Sequence, residues 1–308
     1  MKVMVSGHVE LPALSGMEWI KVHPDRPLPP EVQEAEGLVL WTLNRDFVRR
    51  LLEAAPNLRW IQTLTAGVDH VLAMNLPEHI DLYRAPNLHE ELVTEHTLAL
   101  LLSIARKLHV LRDQQREGRW FVPHPFGSIH SKHVLIWGYG NIGRSLAQVL
   151  QVLGARVTGV RTSAGLDDEV PIITTADFER VLPEVDHLVM VLPSTPDTRG
   201  VLNQKVLDLL PERCWVVNVG RGDAVNQPDL LQALQKGQIA GAALDVMTPE
   251  PLPADHPFWS MENVILTPHV ASQSDRLQTK MREFMLENLG RLSSGEPMLG
   301  RIERSRGY

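Results

Sequence analysis

An apolar run that ends in a glycine-rich turn constrains this chain more than any other segment. Residues 134–137 read Val-Leu-Ile-Trp, and residues 138–143 follow with the spacing G-x-G-x-x-G. A helix-like segment, residues 144–150, comes directly after the third glycine. A strand, a glycine turn and a helix in this order are typical of the first βαβ unit of a dinucleotide-binding sheet. The sequence therefore predicts a parallel α/β sheet with a diphosphate site at this turn.

Each glycine of the turn has its own predicted role. Gly138 makes the tight turn, Gly140 lets the backbone approach a diphosphate, and Gly143 lets the helix pack closely on the strand. Backbone N–H groups at the helix N-terminus would bind the phosphate oxygens. The alternative is a glycine turn with a structural role only. The predicted cofactor contacts of the turn are Gly138, Tyr139, Gly140, Asn141, Ile142 and Gly143.

The position of this turn predicts a second domain. More than a hundred residues precede it in a chain of 308 residues, which is long enough for about two domains. We expect an α/β fold of two Rossmann-like or flavodoxin-like parallel-sheet domains with a cleft between them. Residues 94–271 would form the dinucleotide-binding domain, and residues 1–93 with 272–308 the discontinuous substrate domain.

Alternating apolar runs and helical patterns predict the elements of both domains. Two long helices, Glu90 to Glu117 and Ala271 to Leu292, would form the crossings between the domains. The strands predicted before the glycine turn are residues 2–6, 38–41 and 58–63. The six strands predicted for the cofactor domain are residues 134–137, 156–160, 187–192, 215–219, 240–246 and 264–267.

Composition argues against several classes of protein. The net charge is −7, whereas a general nucleic-acid binder would show a basic face. The single cysteine, Cys214, provides no disulfide framework, and the segment from Met1 does not read as a signal peptide. The longest apolar segment, residues 98–105, is too short to span a bilayer. We expect a cytoplasmic protein with neither a nucleic-acid nor a membrane partner.

Thirteen histidines raise the question of a metal site. His89 and His96 are seven positions apart, so they do not form the H-E-x-x-H spacing of a zinc site. His124, His130 and His133 lie in or beside a predicted loop with no cysteine nearby. We therefore expect no metal.

Polar residues of catalytic type follow three of the predicted strands. Arg221 lies between glycines, and a guanidinium there can bind a carboxylate with two parallel hydrogen bonds. Glu250 stands between two prolines, and His269 comes directly after the last predicted strand. Each could instead be a surface cation, a loop carboxylate or a core histidine. Because α/β sheets bind ligands at the carboxyl ends of their strands, the three together predict an active site.

These segments resemble the D-isomer-specific 2-hydroxyacid dehydrogenase family. Within the family, the chain is most similar to the short glyoxylate/hydroxypyruvate-type 2-ketoacid reductases. The resemblance implies an oxidoreductase that transfers a hydride between NAD(P)H and a small 2-keto acid, giving the D-2-hydroxy acid. It also implies a homodimer formed through the cofactor domain. The matching segments cover most of the chain: residues 65–70, 95–102, 138–143, 192–200, 218–222, 243–253 and 267–269.

The resemblance assigns roles to the matching positions. Arg221 would bind the substrate carboxylate and keto oxygen, and His269, assisted by Glu250, would be the proton donor in reduction. Asp245 would lie near the nicotinamide end. The other implied cofactor contacts are Leu192, Pro193, Thr198, Val219 and Gly220. The implied substrate contacts are the backbone at Ala66, Gly67 and Val68, to which we add Trp41, after an early strand, as a pocket residue or a core residue.

The residues after the second strand of the cofactor domain bear on the choice of dinucleotide. An NAD enzyme normally has an acidic residue there, bound to the ribose hydroxyls, whereas this chain has Arg161, followed by Thr162 and Ser163. An arginine with two hydroxyl neighbours would attract a 2′-phosphate. We therefore expect NADP(H) to be preferred, with NAD(H) as the alternative if Arg161 only stacks on adenine. The nearby acids Asp167 to Glu169 argue the other way.

Two other functions fit the same fold. One is a dinucleotide-sensing interaction protein of the corepressor type, although the chain has no segment that resembles a partner-docking tail. The other is a formate-type dehydrogenase, a subfamily that pairs the histidine with glutamine where this chain has Glu250.

Overall fold

The computed structural model divides the chain into two compact units. The terminal unit consists of Met1–His89 and the segment from Ser274 onwards, and the central unit is Glu90–Gln273. The structure describes residues 1–8, 10–41, 44–65, 67–74, 76–123 and 125–303, without the side chains of Asp69 and His70.

The described residues form thirteen strands and nine helices of the α type. Up to residue 89 they are β1 (Lys2–Ser6), β2 (Glu18–Val22), β3 (Ala35–Leu40), α1 (Arg45–Ala54), β4 (Trp60–Thr63), α2 (Asp69–Leu72) and β5 (Asp81–Tyr83). The central unit contains α3 (Glu90–Arg106), α4 (Leu108–Arg116), β6 (His133–Trp137), α5 (Asn141–Val152), β7 (Arg156–Val160), β8 (Gly165–Asp167), β9 (Val170–Ile173), α6 (Thr175–Val181), β10 (His187–Met190), α7 (Gln204–Leu207), β11 (Trp215–Asn218), α8 (Gln227–Gln235), β12 (Gly241–Leu244) and β13 (Val264–Leu266). The last helix is α9 (Leu277–Ser293).

The central unit is built on an eight-stranded sheet with the order β13-β12-β11-β10-β6-β7-β9-β8. All neighbours are parallel except β8, which runs antiparallel to β9. The order reverses between β6 and β10, which is the switch point where doubly wound sheets bind ligands. The apolar residues of β6, β7, β10, β11 and β12 are mostly buried on both faces, as parallel sheets require. Trp137 belongs to this core, where its ring lies 4.2 Å from that of Phe178.

The terminal unit is built on a five-stranded parallel sheet with the order β2-β1-β3-β4-β5. This is the flavodoxin-like order, so the predicted class of two parallel α/β sheets is confirmed. Helix α9 joins this unit through a buried amide pair, because Asn288 Nδ2 donates to Gln62 Oε1 at 2.5 Å. Met285 and Leu289 of the same helix pack in one apolar cluster with β1 and β3.

Both long helices predicted from the sequence differ from the structure. The first is broken at Lys107, whose left-handed backbone, φ 50°, ends α3 and begins α4. The last helix begins at Leu277 and not at Ala271. The backbone N–H groups of Val270 and Ala271 donate to the carboxylate of Asp245, so this segment follows a different path from a helix.

Four short strands were not predicted. β8 and β9 form a hairpin whose turn residues, Asp168 and Glu169, have φ values of 46° and 68°. Residues other than glycine rarely adopt such values. Because the turn contains no glycine, the sequence lacks the usual signal for a hairpin here. β2 and β5, of five and three residues, lie at the two edges of the terminal sheet.

Candidate active site

The glycine turn joins β6 to α5 in a confined space. Gly138 has φ 103°, and a Cβ there would lie 2.5 Å from the carbonyl oxygen of Val191. A Cβ at Gly143 would lie 3.0 Å from the carbonyl oxygen of Gly138. A Cβ at Gly140 would meet open space, and Gly140, the N-cap residue of α5, makes no side-chain cap. The helix N-terminus and the space beside it suit a diphosphate.

The remaining residues of the turn offer backbone groups. The Tyr139 ring is buried, and burial raises the pKa of its hydroxyl, so the phenol stays protonated at neutral pH. The ring packs against Gly159 of β7 in the space that a side chain would occupy, since a Cβ at Gly159 would lie 2.4 Å from Tyr139 Cδ2. Asn141 and Ile142 are the first two residues of α5 and carry N–H groups of its first turn.

Two loops lie beside the glycine turn. The loop after β10 contains Leu192, which is buried, and Pro193, whose carbonyl oxygen accepts a 2.6 Å hydrogen bond from the Thr198 hydroxyl. In the loop after β11, a Cβ at Gly220 would lie 2.6 Å from the backbone nitrogen of Leu192, and Val219 is buried. Because β6, β10 and β11 are neighbours, these predicted cofactor residues meet at one edge of the sheet.

Asn218 holds the loop that carries Arg221. It is fully buried at the end of β11; its Nδ2 donates to the Arg221 carbonyl oxygen at 2.9 Å, and its Oδ1 accepts from Gly220 N–H at 3.1 Å. The Arg221 guanidinium is half-buried, and its Nη1 donates to the Gly220 carbonyl oxygen at 2.8 Å. Gly222 is tightly packed, since a Cβ there would lie 2.1 Å from the Met247 carbonyl oxygen. The loop is therefore rigid before any ligand arrives.

His269 and Glu250 form a direct pair. The distance between His269 Nδ1 and Glu250 Oε2 is 2.7 Å, and both side chains are partly exposed. The other oxygen, Glu250 Oε1, accepts from Met247 N–H at 3.0 Å. His269 has φ 53°, and its N–H donates to the Asp245 carbonyl oxygen at 2.8 Å. A non-glycine residue in the left-handed region is uncommon and is found at functional sites.

Asp245 organises the segment that carries His269. Its carboxylate, only 1% exposed, accepts from Thr267 Oγ1 at 2.6 Å and from the N–H groups of Val270 and Ala271. His96 of α3 approaches the same group, with Nε2 3.0 Å from Thr267 Oγ1 and 3.5 Å from Asp245 Oδ1. A buried carboxylate needs such donors, so Asp245 acts here on the protein backbone.

The second strand of the βαβ unit, β7, ends beside Arg161. The guanidinium Nε donates to the Ser163 carbonyl oxygen at 3.0 Å, and Nη2 would lie 3.6 Å from a Cβ at Gly165. Thr162 and Ser163 are exposed. These three residues thus form a bend with a half-buried cation at the end of β7.

The residues predicted to bind substrate lie in the terminal unit. Gly67 and Val68 follow β4; the Val68 side chain is buried, and the Gly67 carbonyl oxygen accepts from Thr65 Oγ1 at 2.8 Å. Trp41 follows β3, is partly buried, and lies 6.3 Å from the Phe47 ring. Ala66 lies outside the described residues.

Sequence reasoning missed four polar contacts of the site. Asn218 and Thr267 are polar residues at the ends of strands, a signal that could have drawn attention to them. The Met247 N–H gives no such signal, because it is a backbone group. The His96 ring gives none either, because His96 lies on a helix 171 residues before Thr267. In the part of the chain that the structure describes, no group of three His, Cys, Asp or Glu side chains could hold a metal ion. Over the same residues, no helix is long and apolar enough to cross a membrane.

The doubly wound sheet, the glycine turn and the hydrogen-bonded His269–Glu250 pair at neighbouring strand ends are the features of a dinucleotide-dependent oxidoreductase. Residues 98–271 match the family model of the D-isomer specific 2-hydroxyacid dehydrogenase NAD binding domain. The chain belongs to this family. The predicted resemblance is thereby confirmed.

Curated relatives and solved structures agree with this placement. A human glyoxylate reductase/hydroxypyruvate reductase is 31% identical over 96% of this chain and 94% of its own length. A D-isomer specific 2-hydroxyacid dehydrogenase from Xanthobacter autotrophicus Py2, solved with NADPH and MES, has a TM-score of 0.82 at 30% identity, covering 100% of this chain and 99% of that chain. An NADPH-dependent glyoxylate/hydroxypyruvate reductase from Sinorhizobium meliloti, solved with NADP and sulfate, has a TM-score of 0.81 at 29% identity, covering 96% and 93%.

Proposed function

We propose that this protein reduces small 2-keto acids of the glyoxylate and hydroxypyruvate class to D-2-hydroxy acids, with NADPH as the preferred reductant. The observation that carries the proposal is the 2.7 Å pair of His269 and Glu250. It follows β12 and β13, and the loop of Arg221 follows the next strand of the sheet, β11. The human and Sinorhizobium meliloti relatives, which are named as glyoxylate/hydroxypyruvate reductases, support the choice of substrate.

In this mechanism, Glu250 sets the tautomer and the orientation of the His269 ring. A carboxylate only accepts hydrogen bonds, so Nδ1 carries a proton toward Oε2, and Nε2 is the nitrogen that faces the substrate. When the ring is doubly protonated, Nε2–H donates to the keto oxygen and transfers its proton as negative charge develops there. Met247 N–H holds Oε1 of Glu250, so the carboxylate keeps its orientation during the transfer.

Arg221 binds the substrate anion. Its planar guanidinium can hold the carboxylate by two hydrogen bonds and place the keto oxygen within its field. Asn218 fixes the backbone on both sides of the Gly220–Arg221 bond, which limits the positions of the guanidinium. When bound at the glycine turn, the nicotinamide cofactor supplies the hydride. We assign Asp245 a positioning role near this end of the cofactor site, because its carboxylate is occupied by protein donors.

The domain roles are part of the same proposal. The central unit would bind the cofactor, and the terminal unit would contact the substrate through the backbone at Ala66, Gly67 and Val68 and through Trp41. The predicted cleft between the two domains remains a prediction. A cytoplasmic location also remains a prediction; it is compatible with Cys214, whose thiol is free and buried.

Turnover separates the proposal from the corepressor alternative. Purified protein should oxidise NADPH when glyoxylate or hydroxypyruvate is added, and the product should be the D-2-hydroxy acid. A panel of 2-keto acids, followed at 340 nm and by chiral chromatography, measures both properties. Binding of NADPH without turnover of any acid in the panel would favour a dinucleotide sensor. Reduction of NAD+ or NADP+ on addition of formate, measured separately, would favour the formate-type dehydrogenase.

Cofactor choice should depend on Arg161. We expect the wild-type protein to prefer NADPH over NADH by about 10- to 100-fold in kcat/KM, since a charge-assisted contact is worth roughly 1.5–3 kcal/mol. Arg161→Asp should reverse the preference, because it removes the cation and adds repulsion toward the 2′-phosphate. The measurement is kcat/KM for both cofactors at one saturating keto acid. Arg156→Asp, at the opposite end of β7, is the matched control and should keep the wild-type ratio. Equal use of both cofactors by the wild type would contradict this assignment.

We also propose that the protein is a homodimer in which α4 and the segment after it form the contact. Trp120 is fully exposed, and Leu108, Phe121 and Val122 of the same region are exposed as well. Contiguous exposed apolar side chains often mark an interface between proteins. Trp120→Asp should therefore convert a dimer to a monomer in sedimentation velocity. Val152→Asp, at another exposed apolar site, the last residue of α5, should leave the dimer intact. A monomeric wild type would rule out this contact.

A further inference from the structure

The β8–β9 hairpin places acidic residues beside the proposed 2′-phosphate site. Asp167 ends β8, and Asp168 and Glu169 form the turn. A phosphate monoester carries a charge of about −1.5 to −2 at pH 7, so carboxylates nearby would oppose its binding. A chain that prefers NADPH therefore needs a way to offset these acids.

The hairpin is close to Arg161. The Arg161 guanidinium lies against Gly165, the first residue of β8, and Asp167 lies two residues further along the same strand. Two residues of a strand span roughly 6.6 Å, so Asp167 lies within one Debye length, about 8 Å at physiological salt, of the part of the hairpin that Arg161 contacts. The charge of Asp167 would therefore be felt at a phosphate bound by Arg161.

Helix α5 neutralises Asp167 and holds Asp168 by hydrogen bonds. Arg144, the residue directly after the third glycine, places Nη2 2.8 Å from Asp167 Oδ2. The Asp167 side chain is only 15% exposed, whereas that of Arg144 is 54% exposed. Gln148 donates to Asp168 Oδ2, and Gln151 donates to the Asp168 carbonyl oxygen, both at 3.3 Å. One face of α5 thus fastens the hairpin tip.

We propose that Arg144 is a specificity-determining residue, which favours NADPH by neutralising Asp167 and not by contacting the phosphate. The inference rests on the proposed NADPH preference and deepens it. The pair contributes little to stability, because partly exposed ion pairs are generally weak. The pair acts instead on the net charge of the hairpin beside the 2′-phosphate. Without Arg144, that net charge is one unit more negative.

Three variants test the proposal through a ratio. Arg144→Gln should lower the NADPH/NADH ratio of kcat/KM by about threefold to tenfold, the size expected for one charge at this separation in a water-like medium. Asp167→Asn should raise the ratio by a similar factor. The double variant should return close to the wild-type ratio, because it removes both charges. Arg156→Gln is the control, since Arg156 forms a comparable exposed pair with Glu184 at the other end of β7.

Binding of nucleotide fragments makes the test independent of turnover. Titration calorimetry with 2′,5′-ADP and 5′-AMP gives the affinity ratio for the 2′-phosphate alone, even if no keto acid is reduced. The same pattern of fall, rise and return is expected in this ratio. A ratio for Arg144→Gln within twofold of the wild type would overturn the proposal. A double variant that stays as low as Arg144→Gln would also overturn it, because Arg144 would then contact the phosphate directly.

Discussion

Replacing His269 by alanine is expected to lower kcat by about 100-fold or more, because general acid catalysis typically contributes that much. The imidazole is the group that Glu250 orients through Nδ1, and the structure places no other ring nitrogen against that carboxylate among the described residues. The glycine turn and Arg161 are untouched by this change. The variant should therefore bind NADPH with near wild-type affinity, which a titration that follows NADPH fluorescence would measure.

His130→Ala provides a matched control for this result. His130 is an exposed histidine of the same unit, and its Nδ1 is hydrogen-bonded to the hydroxyl of Ser131. Its loss should leave kcat within about twofold of the wild type, since surface substitutions have small effects. If His269→Ala retained more than a tenth of the wild-type kcat, another group would have to donate the proton.

Replacing Arg221 by lysine should reduce kcat/KM by about 10- to 100-fold although the charge is kept. Lysine cannot form the planar fork that binds a carboxylate by two hydrogen bonds. A hydrogen bond to a charged group is worth roughly 1.5–3 kcal/mol, which corresponds to this loss. In the proposed mechanism the same guanidinium faces the carboxylate and the keto oxygen, so KM should rise and kcat should fall together. Steady-state kinetics with hydroxypyruvate and glyoxylate measure both quantities.

Arg213→Lys is the corresponding control, because Arg213 precedes β11 and Arg221 follows it. The Arg213 Nε donates to Asp186 at 2.9 Å, at the amino end of the sheet and away from the strand ends that form the site. Its kinetics should stay near those of the wild type. Unchanged kinetics in Arg221→Lys would place the carboxylate-binding group elsewhere.

The strands of the central sheet and the grouping of three candidate site residues could be predicted from the sequence. The inner strands of the central sheet, β6, β7, β10, β11 and β12, are apolar runs that the structure mostly buries, so their pattern reveals them directly. Arg221, Glu250 and His269 could be grouped because they follow successive strands, and successive parallel strands are usually neighbours. In the structure, β11, β12 and β13 are indeed adjacent.

Features set by single backbone conformations or by tertiary contacts could not be predicted. Lys107 breaks a helix without a glycine or proline, and Asp168 and Glu169 make a hairpin turn at positive φ. Helix propensities and turn patterns do not predict a positive φ at such lysine, aspartate and glutamate positions. The approach of His96 to Thr267 joins a helix and a strand end that are distant along the chain. Only packing of the complete central unit creates that contact.

The terminal unit is assembled from both ends of the chain, and this has a consequence for the order of events during synthesis. Val3, Val5 and Val39 share an apolar cluster with Met285, Leu289 and Met298, which leave the ribosome after the whole central unit. The central unit, Glu90–Gln273, is contiguous and needs no later segment for its own sheet. Domains usually fold in the order in which they emerge. Here the central unit, which is synthesised second, can complete its folding before the terminal unit does. In the nascent chain, the side of β1 and β3 that packs against α9 must therefore stay uncovered until α9 is synthesised.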